Sequence, residues 1–369
     1  MSQAIDTTHR VEVNVATGAT RTEILLGRGL LSNVAAHLGS YQSARLILVS
    51  DENVAPLYGA PLHDSLRREG FRAELLTVPA GEEAKTLATL EGLYKDLQAG
   101  EVDRGDVIVA VGGGMVGDVA GMLAATYMRG LEFIQVPTTL VAIITASVGG
   151  KAGVNFMGHK NLLGCFKQPA LVLADTDTLR SLSHEEFLSG LGELLTVGVL
   201  GAPGIFLALE ADGAHDLEPL MAQAIRCKGT IVEADPFDRL GVRAKLNLGH
   251  TFGHALEALS GFSLPHGLAV AVGLHIATRL AVAIGLCPPE LPERIRRVMS
   301  TLALPTSLSG YRAEDVIEAM RYDKKRTGGR LRWVLPKTVG EVALVGEEEV
   351  PSGVLEEILN KLVGQEQGR

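Results

Sequence analysis

Between Leu246 and His266 the chain carries three histidines, His250, His254 and His266. His250 and His254 stand four residues apart, so on a helix their side chains share one face. Leu246, Leu248, Phe252, Ala255 and Leu256 surround them and argue for a buried or half-buried segment. Imidazoles in an apolar setting, joined by an incoming carboxylate, suit a borderline cation such as zinc. One such histidine alone would be read as a core residue with a single hydrogen bond. Three this close together favour the metal. The stretch by itself does not say what the metal would do.

A second concentration of chemistry begins where the apolar run Asp106–Val111 enters Gly112-Gly113-Gly114-Met115-Val116-Gly117-Asp118. Glycines there let backbone N–H groups approach a pyrophosphate, and a helix starting at that point favours its negative charge. The spacing is not the usual G-x-G-x-x-G, and a plain tight strand-to-helix connection competes with the nucleotide reading. Asp51, at the end of an earlier run, could accept hydrogen bonds from a ribose. Glu82 and Lys85, in Gly81–Thr86, and Thr138 and Thr139, after Pro137, put polar groups at the ends of further runs. Ser147–Asn155 and Gly158–Asn161 set Lys151 and Lys160 beside glycines, which suits an anionic ligand. Arg129 is a candidate for the same pocket. Lys228, Arg243 and Asn247 come just ahead of His250, and the fork of Arg243 offers paired donors to a carboxylate or phosphate. Singly, each basic residue is a surface charge; their clustering around strand ends and histidines carries the reading.

The elements that must hold these residues follow from hydrophobic patterning. The chain has 369 residues, enough for two or three domains with full cores. It is 46% hydrophobic and 21% charged, a soluble globular profile. Its net charge of −9 argues against nucleic acid or an anionic membrane surface as partner, so an anionic substrate must meet a local basic pocket. Cys165, Cys227 and Cys287 are far apart and odd in number, which indicates neither a disulfide framework nor a zinc ribbon and fits a reducing cytoplasm. The first ten residues lack the apolar core of a signal peptide. Leu268–Cys287 is long enough to span a bilayer, but His275 and Arg279 sit in its middle, so it reads as a buried helix.

Arg45–Ser50, Glu74–Val78, Asp106–Val111 and Phe133–Val136 are apolar runs separated by helical patterns, as in a parallel sheet covered on both faces. Val11–Val15 and Glu23–Leu26 read as a hairpin or edge pair, and Leu331–Leu335 with Glu341–Val345 as a late hairpin. After about Leu179 helical spacing takes over. The fold class is therefore an α/β, nucleotide-type domain followed by a mostly helical domain, with a ligand expected outside the carboxyl ends of the strands.

Together these segments resemble the 3-dehydroquinate synthase family of sugar-phosphate cyclases. The resemblance covers nearly the whole chain. It rests on Gly112–Asp118, Ala125–Gly130, Gln135–Leu140, Ser147–Lys151, Gly158–Asn161, Asn247–Glu257, Pro265–Gly267 and Asp323–Lys325. It implies a Rossmann-like NAD domain at residues 1–180 and a helical, metal- and substrate-binding domain at 181–369. It implies zinc or cobalt held by Glu193, His250 and His266, with His254 a pocket residue. It implies NAD contacts from Asp51, Glu82, Lys85, Gly113, Gly114, Met115, Val116, Gly117, Asp118, Thr138, Thr139, Lys151, Lys160, Thr178 and Leu179. Lys151, Lys160, Arg129 and Lys324 with Lys325 would balance phosphate charge, Arg129 reaching into the second subunit of a homodimer. Lys228, Arg243 and Asn247 would hold the carboxylate and ring hydroxyls. The implied reaction belongs to aromatic amino-acid biosynthesis. A seven-carbon sugar-acid phosphate is transiently oxidised by NAD, loses phosphate, regains the hydride and closes to a six-membered carbocycle.

The sequence departs from the family pattern at three places. Thr145 stands where Asp is usual, Thr196 where Lys is usual, and Leu268 where Glu is frequent. The first two are pocket positions and remove one charge of each sign. They motivate two alternatives to the ordinary synthase: a sister cyclase of altered substrate choice, such as one taking an amino analogue, and a weakened NAD-binding relative.

Overall fold

The computed structural model describes residues 9–17, 20–308, 310–324 and 332–363. The fold divides into two compact units. One runs to Leu182 and includes Val232–Phe237; the other comprises Ser183–Ile231 and the chain from Asp238.

The first unit begins with an antiparallel pair, β1 (His9–Thr17) and β2 (Thr20–Gly27). Next come β3 (Arg45–Asp51), β4 (Arg72–Val78), β5 (Val107–Gly112) and β6 (Glu132–Pro137). A hairpin, β7 (Lys151–Phe156) with β8 (His159–Phe166), precedes β9 (Leu171–Asp175). The sheet order is β1-β2-β9-β6-β5-β3-β4, and every pairing except β1 with β2 is parallel. Helices α1 (Val34–His37), α2 (Ala60–Arg68), α3 (Leu87–Ala99) and α4 (Gly114–Thr126) connect the strands.

Strand side chains alternate between faces, and here both faces are dry. Leu46, Leu48, Val107 and Val109 pack on one side with Leu62 and Leu66 of α2. Ile47, Val49, Ile108 and Ala110 pack on the other with Leu90 and Leu93 of α3 and Val119 and Leu123 of α4. This is why the central strands read as unbroken apolar runs. The antiparallel pair at the amino end and the four runs β3–β6 match the sequence expectation to within a few residues. The basic, glycine-rich stretch around Lys151 and Lys160, to which the sequence patterning assigned no element, is the β7–β8 hairpin, paired from Lys151 with Phe166 to Phe156 with His159. Strand β9, fully buried between β2 and β6, was not anticipated.

The second unit is mostly helical. It contains α5 (His184–Leu200), α6 (Pro203–Asp212), most of α7 (Leu217–Ala234), α8 (His250–Leu259), α9 (His266–Ala283), α10 (Leu291–Thr301), α11 (Ala313–Lys324) and α12 (Val354–Val363). The late hairpin is present as β10 (Arg332–Thr338) and β11 (Glu341–Gly346). Ser183 caps α5 by accepting from the Glu186 N–H at 3.2 Å. Helix α9 is long and apolar enough to cross a membrane, but 72% of that window is buried inside the protein, as the reading of Leu268–Cys287 anticipated.

Glycines set how closely α5, α8 and α9 approach. A Cβ on Gly267 would fall 1.8 Å from the Ser189 carbonyl oxygen of α5. One on Gly273 would fall 2.0 Å from the Gly249 carbonyl oxygen at the start of α8. Only bare backbone fits at these crossings, and the helix ends they bring together carry the histidines.

Candidate functional site

Glu193 lies well inside α5, His250 is the first residue of α8 and His266 the first residue of α9. Glu193 is 3% exposed. Its Oε1 lies 3.2 Å from His266 Nε2 and 3.5 Å from His250 Nε2. The three side chains can present ligand atoms all within 4.8 Å of one another.

The outer ring nitrogens decide what the inner ones present. His250 Nδ1 is 2.9 Å from the Leu248 carbonyl oxygen, and His266 Nδ1 is 3.2 Å from Glu257 Oε2. Carbonyl and carboxylate oxygens only accept, so both Nδ1 atoms carry the hydrogen. A neutral ring then turns its Nε2 lone pair inward. Glu193 Oε1 is buried without a hydrogen-bond partner. Three acceptors thus converge on one point with no donor of their own, which is what a cation requires and what a metal-free core would avoid. Two imidazoles and one carboxylate are also a familiar donor set for zinc, with positions left for other oxygens.

The electrostatics agree. Burial pushes the Glu193 carboxyl up, but the His250 and His266 rings and the Lys228 ammonium outweigh it and hold the group at about 2. Burial pushes His266 down, yet Glu193 and Glu257 on either side raise it to about 10. Burial, aided by His266 and Lys228, keeps His250 below its ordinary value against the pull of Glu193. Without a cation, a proton on His266 occupies the place the cation would take.

The other expected residues of this unit take varied positions. His254 is exposed, with its ring 5.6 Å from that of His250 and 5.9 Å from that of His266. Lys228 is on α7, close enough to act on Glu193. Arg243 is buried in the short helical turn Val242–Asn247 that Asn247 closes. Thr196 is buried, and its Oγ1 donates to the Gly192 carbonyl at 2.9 Å, within α5. Lys324 ends α11; its side chain, and Lys325, lie outside the described residues. Glu257 closes the Asn247–Glu257 motif, and its spacing alone gives it no role.

In the first unit, the expected nucleotide contacts gather at the carboxyl ends of the parallel strands. Asp51 closes β3, Gly113 follows β5, Thr138 and Thr139 follow β6, and Thr178 and Leu179 follow β9. Strand β5 lies on the far side of β3 from β4, so the strand order reverses between β3 and β5, where an open α/β sheet leaves a crevice. Gly113 precedes α4, and Met115, Val116, Gly117 and Asp118 form its opening. Asp51 Oδ1 accepts from the Asn53 and Val54 N–H groups at 2.9 and 3.0 Å, which folds the turn after β3. Lys85 is buried and donates to Asp118 and to Asn161. Asn155 Nδ2 donates to Glu82 Oε1 at 2.9 Å, and the Asn161 N–H donates to Asn155 Oδ1 at 2.9 Å. The β7–β8 hairpin, with Lys151 and Lys160 exposed on it, is thereby fastened to the loop after β4.

Arg129 does not join this group within its own chain. Helix α4 starts at the strand carboxyl ends and runs back for 13 residues, about 20 Å. Arg129 therefore sits just before β6 begins, at the amino ends of the strands. Met128 and Arg129 both have positive φ, 48° and 70°. Thr145 Oγ1 donates to the Val141 carbonyl at 2.8 Å.

Comparison with known proteins covers both units. Residues 75–189 match the family model described as 3-dehydroquinate synthase N-terminal, and residues 190–326 the one described as 3-dehydroquinate synthase C-terminal. The chain is 41% identical over 338 residues to the 3-dehydroquinate synthase of Symbiobacterium thermophilum, covering 89% of this chain and 94% of that one. Its fold is similar to 2-epi-5-epi-valiolone synthase from Streptomyces hygroscopicus subsp. jinggangensis, solved with NAD+ and Zn2+, at TM-score 0.84 and 28% identity, with 92% and 96% of the chains covered. A 2-deoxy-scyllo-inosose synthase, solved with carbaglucose-6-phosphate, NAD+ and Co2+, shares the fold at TM-score 0.83 and 24% identity, covering 96% of this chain and 100% of that one.

Proposed function

The chain belongs to the 3-dehydroquinate synthase family, and from that premise we propose that it cyclises 3-deoxy-D-arabino-heptulosonate 7-phosphate to 3-dehydroquinate with release of phosphate. The single observation that carries the reading is the convergence of Glu193 Oε1 with the Nε2 atoms of His250 and His266. When bound, NAD supplies reversible hydride transfer and a divalent cation polarises substrate oxygens.

The chain's own residues do the rest. The N–H groups of Gly114, Met115 and Val116, in the first turn of α4 and ahead of the Gly117 N–H that bonds the Gly113 carbonyl, receive the pyrophosphate of NAD. Lys85 keeps Asp118 and Asn161 in place around it. Lys228, Arg243 and Asn247 hold the carboxylate and hydroxyl groups of the substrate. Lys151, Lys160 and Lys324 balance phosphate charge. His250 keeps its Nδ1 proton on the Leu248 carbonyl and His266 keeps its own on Glu257, so neither ring shifts tautomer during turnover. His254, exposed beside both rings, is a pocket residue in contact with the substrate. Arg129, placed at the amino ends of its own strands, serves the second subunit of a homodimer.

Purified protein given the seven-carbon phosphate, NAD and Zn2+ or Co2+ should release phosphate and form the carbocycle, and a chelator should stop it. No phosphate release under those conditions would defeat the reading. A second reading is a sister cyclase of altered substrate choice. It is favoured by Thr145 and Thr196, whose hydroxyls donate to the carbonyls four residues earlier and offer no charge to a substrate. A panel of phosphorylated cyclisation substrates, including an amino analogue, separates the two by the ratio of kcat/KM values.

A further inference from the structure

Glu257 is 3% exposed and contributes no ligand atom to the Glu193–His250–His266 group. Burying a carboxylate is costly unless its charge is matched and its oxygens accept hydrogen bonds. Its Oε2 lies 3.2 Å from His266 Nδ1. This contact admits one neutral tautomer of His266, the one with hydrogen on Nδ1 and a lone pair on Nε2, 3.2 Å from Glu193 Oε1. The opposite tautomer would set a lone pair against the Glu257 carboxylate and an N–H where a cation must bind.

The two histidines are supported unequally. His250 gives its Nδ1 hydrogen to a neutral backbone carbonyl, His266 to a carboxylate. A charged acceptor makes the opposite ring nitrogen the more basic ligand. The turn from α8 to α9 is fastened at the same residue. Ser260 Oγ donates to the Glu257 carbonyl at 2.8 Å and accepts from the Leu264 N–H at 3.1 Å, which fixes the path leading to His266.

We propose that Glu257 is a positioning residue for the cation, locking the His266 tautomer that turns the Nε2 lone pair towards Glu193. This rests on the metal reading of Glu193, His250 and His266 given above. The test titrates the full chain, stripped of metal, with Zn2+ or Co2+ against a chromophoric chelator, and records the visible absorption of the Co2+-loaded protein. Glu257→Gln and Glu257→Ala should each bind the cation about 10- to 100-fold more weakly. The Co2+ absorption should shift as the His266 ring loses its support, while NAD affinity stays unchanged.

Unchanged cation affinity together with an unchanged Co2+ spectrum in the variants would overturn the proposal, even if the unaltered chain binds tightly. Should Glu257→Ala not fold, the near-isosteric Glu257→Gln decides alone. An unaltered chain that binds no divalent cation would remove the premise, and the proposal with it.

Discussion

Lys85 Nζ lies 2.5 Å from Asp118 Oδ2, joining the loop after β4 to the opening of α4. Lys85 is 4% exposed. A buried ammonium that loses its partner, or leaves one behind, is far costlier than a surface pair. Lys85→Met should destabilise the first unit by about 3 kcal/mol and weaken NAD binding, because Asp118 and Asn161 both lose their common donor. Urea unfolding and an NAD titration measure the two effects. An unaltered unfolding midpoint would show the pair to be inconsequential.

Removing a ligand should act differently from removing its support. Glu193→Gln and His266→Ala should each lower cation affinity by more than the roughly hundredfold upper range typical of supporting groups. Turnover should fall in proportion and should not be restored by excess NAD. Cation titration, with activity measured before and after chelation and metal return, checks this. Full activity of either variant in chelator would rule out a metal-dependent reaction.

Much of this arrangement was legible in the sequence, for reasons particular to each element. Strands β3–β6 are buried on both faces, so their apolar runs are continuous and hard to mistake. His250 and His266 stood out because imidazoles are rare in so apolar a stretch. Glu193 did not, since nothing in local spacing ties it to residues so far downstream. Its place depends on Gly192 and Gly267 letting α5 and α9 touch, which is a tertiary fact. The β7–β8 hairpin was hidden by its turn. Met157 and Gly158 both take positive φ, 48° and 75°, in a two-residue loop where Asn-Gly is the usual signal. Strand β9 is five residues long and follows a proline, too short for periodicity to declare. The Glu257 contact follows from the tight turn at Ser260–Leu264 and has no counterpart in spacing alone.

Gly267→Ala tests whether the helix crossing sets the site. On an exposed helix this change would stabilise by up to about 1 kcal/mol. Here the added Cβ would meet the Ser189 carbonyl oxygen at 1.8 Å, so α9 must move away from α5. Overpacking of this kind costs about 1–3 kcal/mol. Because His266 adjoins Gly267, the shift should also separate His266 from Glu193. Lower stability together with weaker cation binding is the expected outcome, read by denaturant unfolding and cation titration. A stabilised variant with unaltered cation affinity would refute the close approach.

His275, buried in α9, ties stability to pH. Its Nδ1 donates to the Thr306 carbonyl at 3.2 Å, and its Nε2 accepts from Arg279 Nε at 3.0 Å. Both ring nitrogens are therefore committed to the neutral form. Burial, reinforced by Arg279 and Arg296 and only partly opposed by Glu293 and the Thr306 bond, lowers its pKa to about 4. The unfolded chain, near 6.5, takes up the proton first as pH falls, so it binds more protons than the folded chain between those values. Stability must then be complete above pH about 6.5 and decline towards pH about 4, by up to about 3 kcal/mol. His275→Gln removes the titrating group. The variant should be less stable than the unaltered chain at pH 7, through a lost hydrogen bond worth about 1 kcal/mol, and the gap should close and then reverse towards pH 4.5. Urea unfolding of the two metal-stripped proteins across that range isolates the effect from the carboxylates, which they share. A gap that stays constant from pH 7 to pH 4.5 would mean that His275 is not held neutral by its surroundings.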